Sequence, residues 1–268
     1  MVRVGLVGCG AIGTQLALAV QRQYPSRARV VALHDVELPH ARALAKRLHP
    51  SPVIVSLPEL IRRSDLVLEA ASASIAAEVA VRALRAHRDV FIMSVGGLLR
   101  TRTWQRVAAR SRNRVYLPSG ALAGLDGVKA LAVGRIQRVR LTTSKPPRAL
   151  AAAPYVQRKR LTLTRLTRPR LIFEGSPTAA VQAFPQNTNV AAALMLASGA
   201  PSARIRIRVI ADPTLRRNRH ELDVEGDCGR IRCTIESQPS RNPKTSELAI
   251  RSALATLHQL FSPIHIGT

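Results

Sequence analysis

The stretch Val2-Arg3-Val4-Gly5-Leu6-Val7-Gly8-Cys9-Gly10-Ala11-Ile12-Gly13 decides the fold. A β-branched run comes first and reads as a buried strand. Three glycines at GxGxxG spacing follow, and Thr14 to Tyr24 then has helical periodicity. A strand that turns sharply into a helix is the setting this glycine pattern requires. Gly8 permits the tight turn, Gly10 lets a pyrophosphate approach the backbone, and Gly13 lets helix and strand pack closely. The helix start, through Ala11 and Ile12, offers free N–H groups and a positive dipole end to phosphate. The segment reads as a dinucleotide site rather than a plain glycine turn.

Working outward, Val30 to His34 forms a second strand, and Asp35 stands at its end, 22 residues after Gly13. A carboxylate there accepts hydrogen bonds from ribose hydroxyls and disfavours a 2′-phosphate, which argues for NAD over NADP. Arg42 and His34 lie close enough in sequence to weaken that exclusion, so NADP remains the alternative. Pro39 to Leu48 reads as a helix opened by proline. Val53 to Val55, Leu66 to Leu68 and Val90 to Ile92 read as strands, and Ile75 to Ala86 and Thr103 to Ser111 as helices. Strand and helix alternating at this spacing predict a parallel sheet with crossover helices over residues 1–118.

After Pro118 the pattern changes. Arg138 to Ser144 reads as a strand, Ala149 to Pro154 as an irregular loop, and Pro177 to Phe184 and Asn189 to Ala197 as helices. Three strands then alternate with period two. Ala203, Ile205, Ile207 and Val209 share one face, with Arg204, Arg206 and Arg208 opposite. His220, Leu222 and Val224 oppose Glu221, Asp223 and Glu225. Ile231, Cys233 and Ile235 oppose Arg230, Arg232 and Thr234. This predicts a mainly antiparallel sheet with one covered face, in a smaller α+β domain over 119–240. If the three strands are neighbours, a row of acids lies between two rows of arginines. Thr245 to Phe261 reads as a last helix.

The chain has 268 residues with 41 Lys+Arg against 16 Asp+Glu, a net charge of +25. Such a balance points first to a polyanionic partner. Yet 36 of the bases are arginine and 5 are lysine, and the eight aromatics do not interleave with them as base-stacking platforms would. Nucleic acid is therefore not the expected partner. A 46% hydrophobic content excludes a disordered basic tail. No apolar run is long enough to span a bilayer, and the first residues enter a strand with no secretory layout. Three cysteines with no CxxC pair suggest a reduced, cytoplasmic setting. They have no partners at zinc spacing, so no metal site is expected.

Among chemically able side chains, His220 sits by parity on the apolar face of its strand, near the strand start. A lone histidine there is ordinarily a satisfied core or rim residue. The other histidines fall at expected surface or terminal positions. Polar loop segments follow strands or precede helices at Ser94-Val95-Gly96-Gly97, Pro118-Ser119-Gly120-Ala121 and Pro185-Gln186-Asn187-Thr188-Asn189. Each alone is ordinary turn chemistry.

Taken in order, these motifs resemble the L-aspartate dehydrogenase family nearly end to end. The resemblance is carried by the glycine motif, Glu69-Ala70-Ala71-Ser72, Ser94-Val95-Gly96, and Leu117 through Asp126. It continues through Phe184 to Ala192, Val209-Ile210-Ala211-Asp212-Pro213, His220, and Asn242-Pro243-Lys244-Thr245-Ser246. It implies NAD(P)-dependent oxidation of L-aspartate to iminoaspartate, which hydrolyses to oxaloacetate and ammonia. It also implies a supply role in NAD biosynthesis and a homodimer. By the same matching, His220 is the active-site residue, and Ala121 and Asn189 contact the dinucleotide. The C-terminal helix, within 241–268, is expected to pack back on the first domain.

That chemistry needs a group of near-neutral pKa to take a proton from the substrate ammonium, or to activate water against the imine. Histidine suits either task. Two substrate carboxylates need cationic or N–H partners, for which Ser119, Lys145, Lys244 and Thr245 are candidates. Lys244 reads equally as a surface lysine at a helix start. Two other readings stay open: an oxidoreductase acting on another small amino acid, and an inactive basic binding protein on the same scaffold. The stretch Gly127 to Phe173 holds twelve bases and no acid, an excess of charge that the expected reaction does not explain.

Overall fold

The computed structural model describes residues 1–185, 189–238 and 246–267. The chain divides into two compact units. One is Met1–Pro118 with Ala253–His265, and the other is Ser119–Ser252 with the chain end from Ile266.

The first unit is built on strands β1 (Val2–Val7), β2 (Ala28–His34), β3 (Val53–Ile54), β4 (Leu66–Glu69), β5 (Asp89–Ile92) and β6 (Val115–Tyr116). They form one sheet in the order β3-β2-β1-β4-β5-β6, every pairing parallel. Strands buried on both faces must be continuously apolar. Accordingly Leu6, Leu33, Val67, Leu68, Phe91 and Ile92 have no exposed surface. Helix Ala11–Gln23 lays Leu16, Ala17 and Val20 on this core. The last helix, Glu247–Phe261, contributes Ala253 and Leu257 to the same core, and His258 Nδ1 lies 2.9 Å from the Tyr24 hydroxyl. In open sheets of this kind, ligands bind where the chain direction switches, at the carboxyl ends of the strands. Here the switch lies at β1, between β2 and β4.

The second unit contains β7 (Ile136–Lys145), β8 (Arg170–Gly175), β9 (Ile205–Ala211), β10 (Asn218–Gly226) and β11 (Arg230–Ser237), in the order β11-β10-β7-β9-β8. Only β7 and β9 pair in parallel. The sheet therefore belongs to an α/β chain with a parallel first sheet and a mixed, mainly antiparallel second one. The covered face is apolar over most of its area: Val139, Leu141, Ile205, Ile207, Leu222 and Val224 are buried there.

Two expectations need correction. β9 and β10 are not neighbours, because β7 lies between them. At ten residues, β7 is long enough to pair along both edges. The acids of β10 do lie between two basic rows, but one row belongs to β7. Asp223 stands opposite Arg140 and Arg232, and Glu225 opposite Arg138 and Arg230. Arg138 pairs with Glu225 at 2.8 Å, and Arg230 pairs with Asp223. The Asp223 carboxyl is held below its usual range, first by its hydrogen bond from Arg230. The Ala149–Pro154 segment is irregular only over 151–153, between two short helices. Short helices Pro147–Leu150 and Pro154–Arg158 each begin with proline at a first-turn position, where its missing N–H costs nothing.

Candidate active site

The glycine loop is set by sterics. Gly8 has φ +93°, a conformation that favours glycine, and a Cβ there would meet the Ala70 and Ala71 backbone at 2.6 Å. A Cβ at position 13 would lie 1.9 Å from the Gly8 carbonyl oxygen. Gly10 differs: nothing lies within 4 Å of the space its Cβ would fill. The helix that follows is capped by no side chain, and no acid stands in its first turn. An open backbone approach beneath an uncapped helix start suits an anionic ligand.

Asp35 adjoins this loop. Its Oδ2 accepts the Cys9 N–H at 2.6 Å, and its Oδ1 accepts the Glu37 N–H at 2.8 Å. One carboxylate thus shapes the glycine turn from the end of β2. A cavity of about 390 Å³ opens beside it, lined by Gly8, Gly10, His34, Asp35, Ala71 and Ser72 among others. His34 is half-buried, with Nδ1 at 3.0 Å from the Val55 carbonyl, and His40 also lines the cavity. Both were expected at surface positions, which holds for the exposed His40 and not for His34. Burial pushes the Cys9 thiol up to about 12, which leaves it an unreactive packing group. These residues fit a dinucleotide: open space for the pyrophosphate, an uncapped helix start, and an acid beside the cavity.

Glu69 is the residue whose part the sequence did not reveal. It ends β4 fully buried. Its carboxyl accepts the Ala71 N–H at 2.9 Å, the Ser94 N–H at 3.0 Å and the Ser94 hydroxyl at 2.9 Å. Burial raises its pKa, against the lowering effect of those bonds. Glu69 therefore ties the loop after β5 to the Ala70–Ser72 loop that lines the cavity.

In the second unit the apolar face of the sheet turns polar at one end. His220 on β10 stands opposite Thr143 on β7, with His220 Nδ1 at 3.0 Å from Thr143 Oγ1. Lys145, two residues further along β7, faces the same side. His220 is 3% exposed and Lys145 8%. Burial, aided by the Lys145 charge, pushes His220 down to about 3. The near-neutral value expected of it is not found, because the site withholds water and a second base stands beside it. Burial brings Lys145 down to about 8. The Asp212 N–H donates to the Lys145 carbonyl at 2.9 Å, while the Asp212 carboxylate accepts from Thr214, from N at 2.9 Å and Oγ1 at 2.7 Å. Thr143 was not singled out in the sequence, although parity with Lys145 on β7 carried the signal.

The remaining predicted residues fall in two places. Ala121 is buried, Ser119 half-buried and Asn189 exposed. A methyl at Gly120 would sit 3.8 Å from Val190 Cγ1, so the Ser119–Ala121 loop lies beside the start of helix Asn189–Ser198. Lys244 and Thr245 lie outside the described residues. Among the described residues there is no group of three His, Cys, Asp or Glu able to hold a metal, and no helix is long and apolar enough to cross a membrane.

A doubly wound sheet with a GxGxxG turn, followed by a sheet with a buried histidine and lysine, defines a nucleotide-dependent oxidoreductase of two domains. The comparisons are more specific. Residues 126–260 match the family described as aspartate dehydrogenase, C-terminal, and residues 8–118 match the homoserine dehydrogenase NAD-binding domain. L-aspartate dehydrogenases of Methanosarcina barkeri and Methanocella arvoryzae are 42% and 40% identical to the chain, covering 100% of both partners in each case. The crystal structure of aspartate dehydrogenase from Thermotoga maritima matches with a TM-score of 0.75 and 26% identity, again over 100% of both chains. The chain belongs to the aspartate dehydrogenase family.

Proposed function

We propose that the protein oxidises L-aspartate to iminoaspartate with NAD(P), the imine then hydrolysing to oxaloacetate and ammonia. The observation that carries this reading is the end-to-end similarity to L-aspartate dehydrogenases, in a chain whose second sheet buries a histidine and a lysine together. Gly8, Gly10, Ala11, Ile12 and Gly13 would hold the pyrophosphate, and Asp35 the ribose hydroxyls. Ala121 and Asn189 would add further contacts to the dinucleotide. Asp35 favours NAD as the preferred form. When bound, the dinucleotide accepts the hydride that leaves Cα.

His220 is the proposed catalytic side chain. Held neutral, with Nδ1 engaged by Thr143, it hydrogen-bonds the substrate and orients water against the imine. Ser119, Lys145, Lys244 and Thr245 are the proposed partners of the substrate. Iminoaspartate supply for NAD biosynthesis, a cytoplasmic setting and a homodimer complete the reading, on the strength of the family resemblance.

The test is reduced-nicotinamide formation by the purified protein with L-aspartate and either NAD or NADP, alongside His220→Ala. Turnover in the wild type, faster with NAD, and a severe loss in the variant are expected. Cofactor binding without any turnover in the wild type would overturn the reading, and a fully active variant would remove His220 from it.

A further inference from the structure

We propose that Lys145, rather than His220, is the group that takes the proton from the substrate ammonium. The inference rests on the reading of the protein as an amino-acid dehydrogenase and assigns the proton step within it.

Three features of the second sheet lead there. Lys145 ends β7 on the face that Thr143 and His220 share, so the two basic side chains lie on adjacent strands at the polar end of an otherwise apolar face. Both are buried, and two positive charges side by side out of water are costly, so one proton at most resides on the pair. His220 has Nδ1 committed to Thr143 Oγ1, and that neutral pairing needs no proton from the substrate. The amine of Lys145 is the stronger base of the two. Its ordinary value is lowered by burial to about 8, close to working pH, where a general base is most effective.

The other titratable or charged groups around Lys145, among the described residues, are few. Asp212, after β9, has its carboxylate turned to Thr214. Arg170 on β8 stands in the row of Ala211, the parallel partner of Lys145, and is exposed. Arg219, opposite Ser144, is on the other face and pairs with Glu236. On β11, Ile235 and Ser237 carry no charge on this side.

In the step itself, one N–H bond of the substrate ammonium breaks and its proton goes to the lone pair of the neutral Lys145 amine, giving an ammonium. The nitrogen pair thus released forms the C=N bond as the Cα–H bond breaks. The hydride leaves with its electron pair for the oxidised dinucleotide, and the substrate becomes an iminium.

The experiment is the pH profile of kcat/KM for L-aspartate with saturating NAD, in the wild type, Lys145→Met, Lys145→Ala and His220→Gln. In the wild type the rate rises with pH through an ionisation near 8, below that of the substrate's own amino group. Lys145→Met loses this limb and about 10²–10⁴-fold in rate. Added methylamine restores part of the rate to Lys145→Ala, and His220→Gln keeps the limb at reduced rate. Retention of the limb in Lys145→Met, its loss in His220→Gln, or no amine rescue would overturn the assignment while leaving aspartate oxidation intact. A wild type that binds NAD but never oxidises aspartate would instead remove the underlying reading, and the assignment with it.

Discussion

In the first unit, a methyl at Gly13 would lie 1.9 Å from the Gly8 carbonyl oxygen; in the second, Thr143, Lys145 and His220 occupy positions where the same sheet face otherwise carries leucine and valine. One unit makes its candidate site by leaving side chains out, which leaves the backbone open to an anionic ligand. The other makes its site by burying polar side chains in an apolar setting. The first kind of site has no room for an added atom at Gly8 or Gly13 and stays open at Gly10. The second is chemically tuned, because loss of water sets the protonation of every group in it.

The largest effects are expected in the glycine turn. Gly13→Val should prevent correct folding of the first unit, at a cost of several kcal/mol, read as loss of soluble protein or of its thermal transition. Gly10→Ala is the contrast. Its new methyl meets no protein atom, so the thermal transition should hold while NAD affinity falls about tenfold or more. If both variants fold and bind NAD equally, the steric account of the loop is wrong.

Next in size are the two buried bases. His220→Ala should cost about 10²–10⁴-fold in turnover with little change in NAD affinity, checked by steady-state rates and a binding titration. Lys145→Met should instead raise stability at pH 7, by about 1–3 kcal/mol, because burial opposes the charged lysine there. The direction follows from the folded value, about 8, lying below the ordinary 10.5. The unfolded chain takes up the proton first as pH falls, so the penalty grows between those values and persists below them. The gain should therefore shrink to nothing above pH 10.5. His220 acts in the same sense at lower pH. With a folded value of about 3 against 6.5, the penalty for keeping it neutral grows as pH falls from 6.5 toward 3, and His220→Gln should flatten the fall of Tm with pH over that range.

The smallest effects belong to the charged face of the second sheet. Arg138→Ala should cost about 0.2–1 kcal/mol, since its pair with Glu225 is half-exposed and screened by salt. A larger loss would mean that the Arg–acid–Arg rows contribute to the fold and are more than a solvated surface.

How much was legible in the sequence follows the same division. The glycine spacing, the strand before it and Asp35 after it were readable, because backbone sterics and chain direction leave a local pattern. The second task of Asp35, accepting the Cys9 N–H, was not, since it depends on β1 and β2 meeting in register. Glu69 was visible within a motif, yet its bonds to Ser94 join loops 25 residues apart. Period-two alternation placed His220 on the covered face, but not its neighbour. Thr143 lies 77 residues away, and the order of strands decides that they touch. The near-neutral pKa expected for His220 failed for that reason: burial beside Lys145 is a property of the folded sheet. β8 escaped notice because Arg170-Leu171-Ile172-Phe173-Glu174-Gly175 has a short apolar run at the end of a basic stretch.

The central claim is that the chain selects L-aspartate for oxidation, over its amide, its longer dicarboxylic homologue and a monocarboxylic amino acid alike. It is tested most directly by kcat/KM for L-aspartate against L-asparagine, L-glutamate and L-alanine, followed by the formation of reduced nicotinamide. The account predicts turnover with L-aspartate at least a hundredfold above each of the others. Equal or better turnover of another amino acid, or none at all in protein that binds NAD, would contradict it.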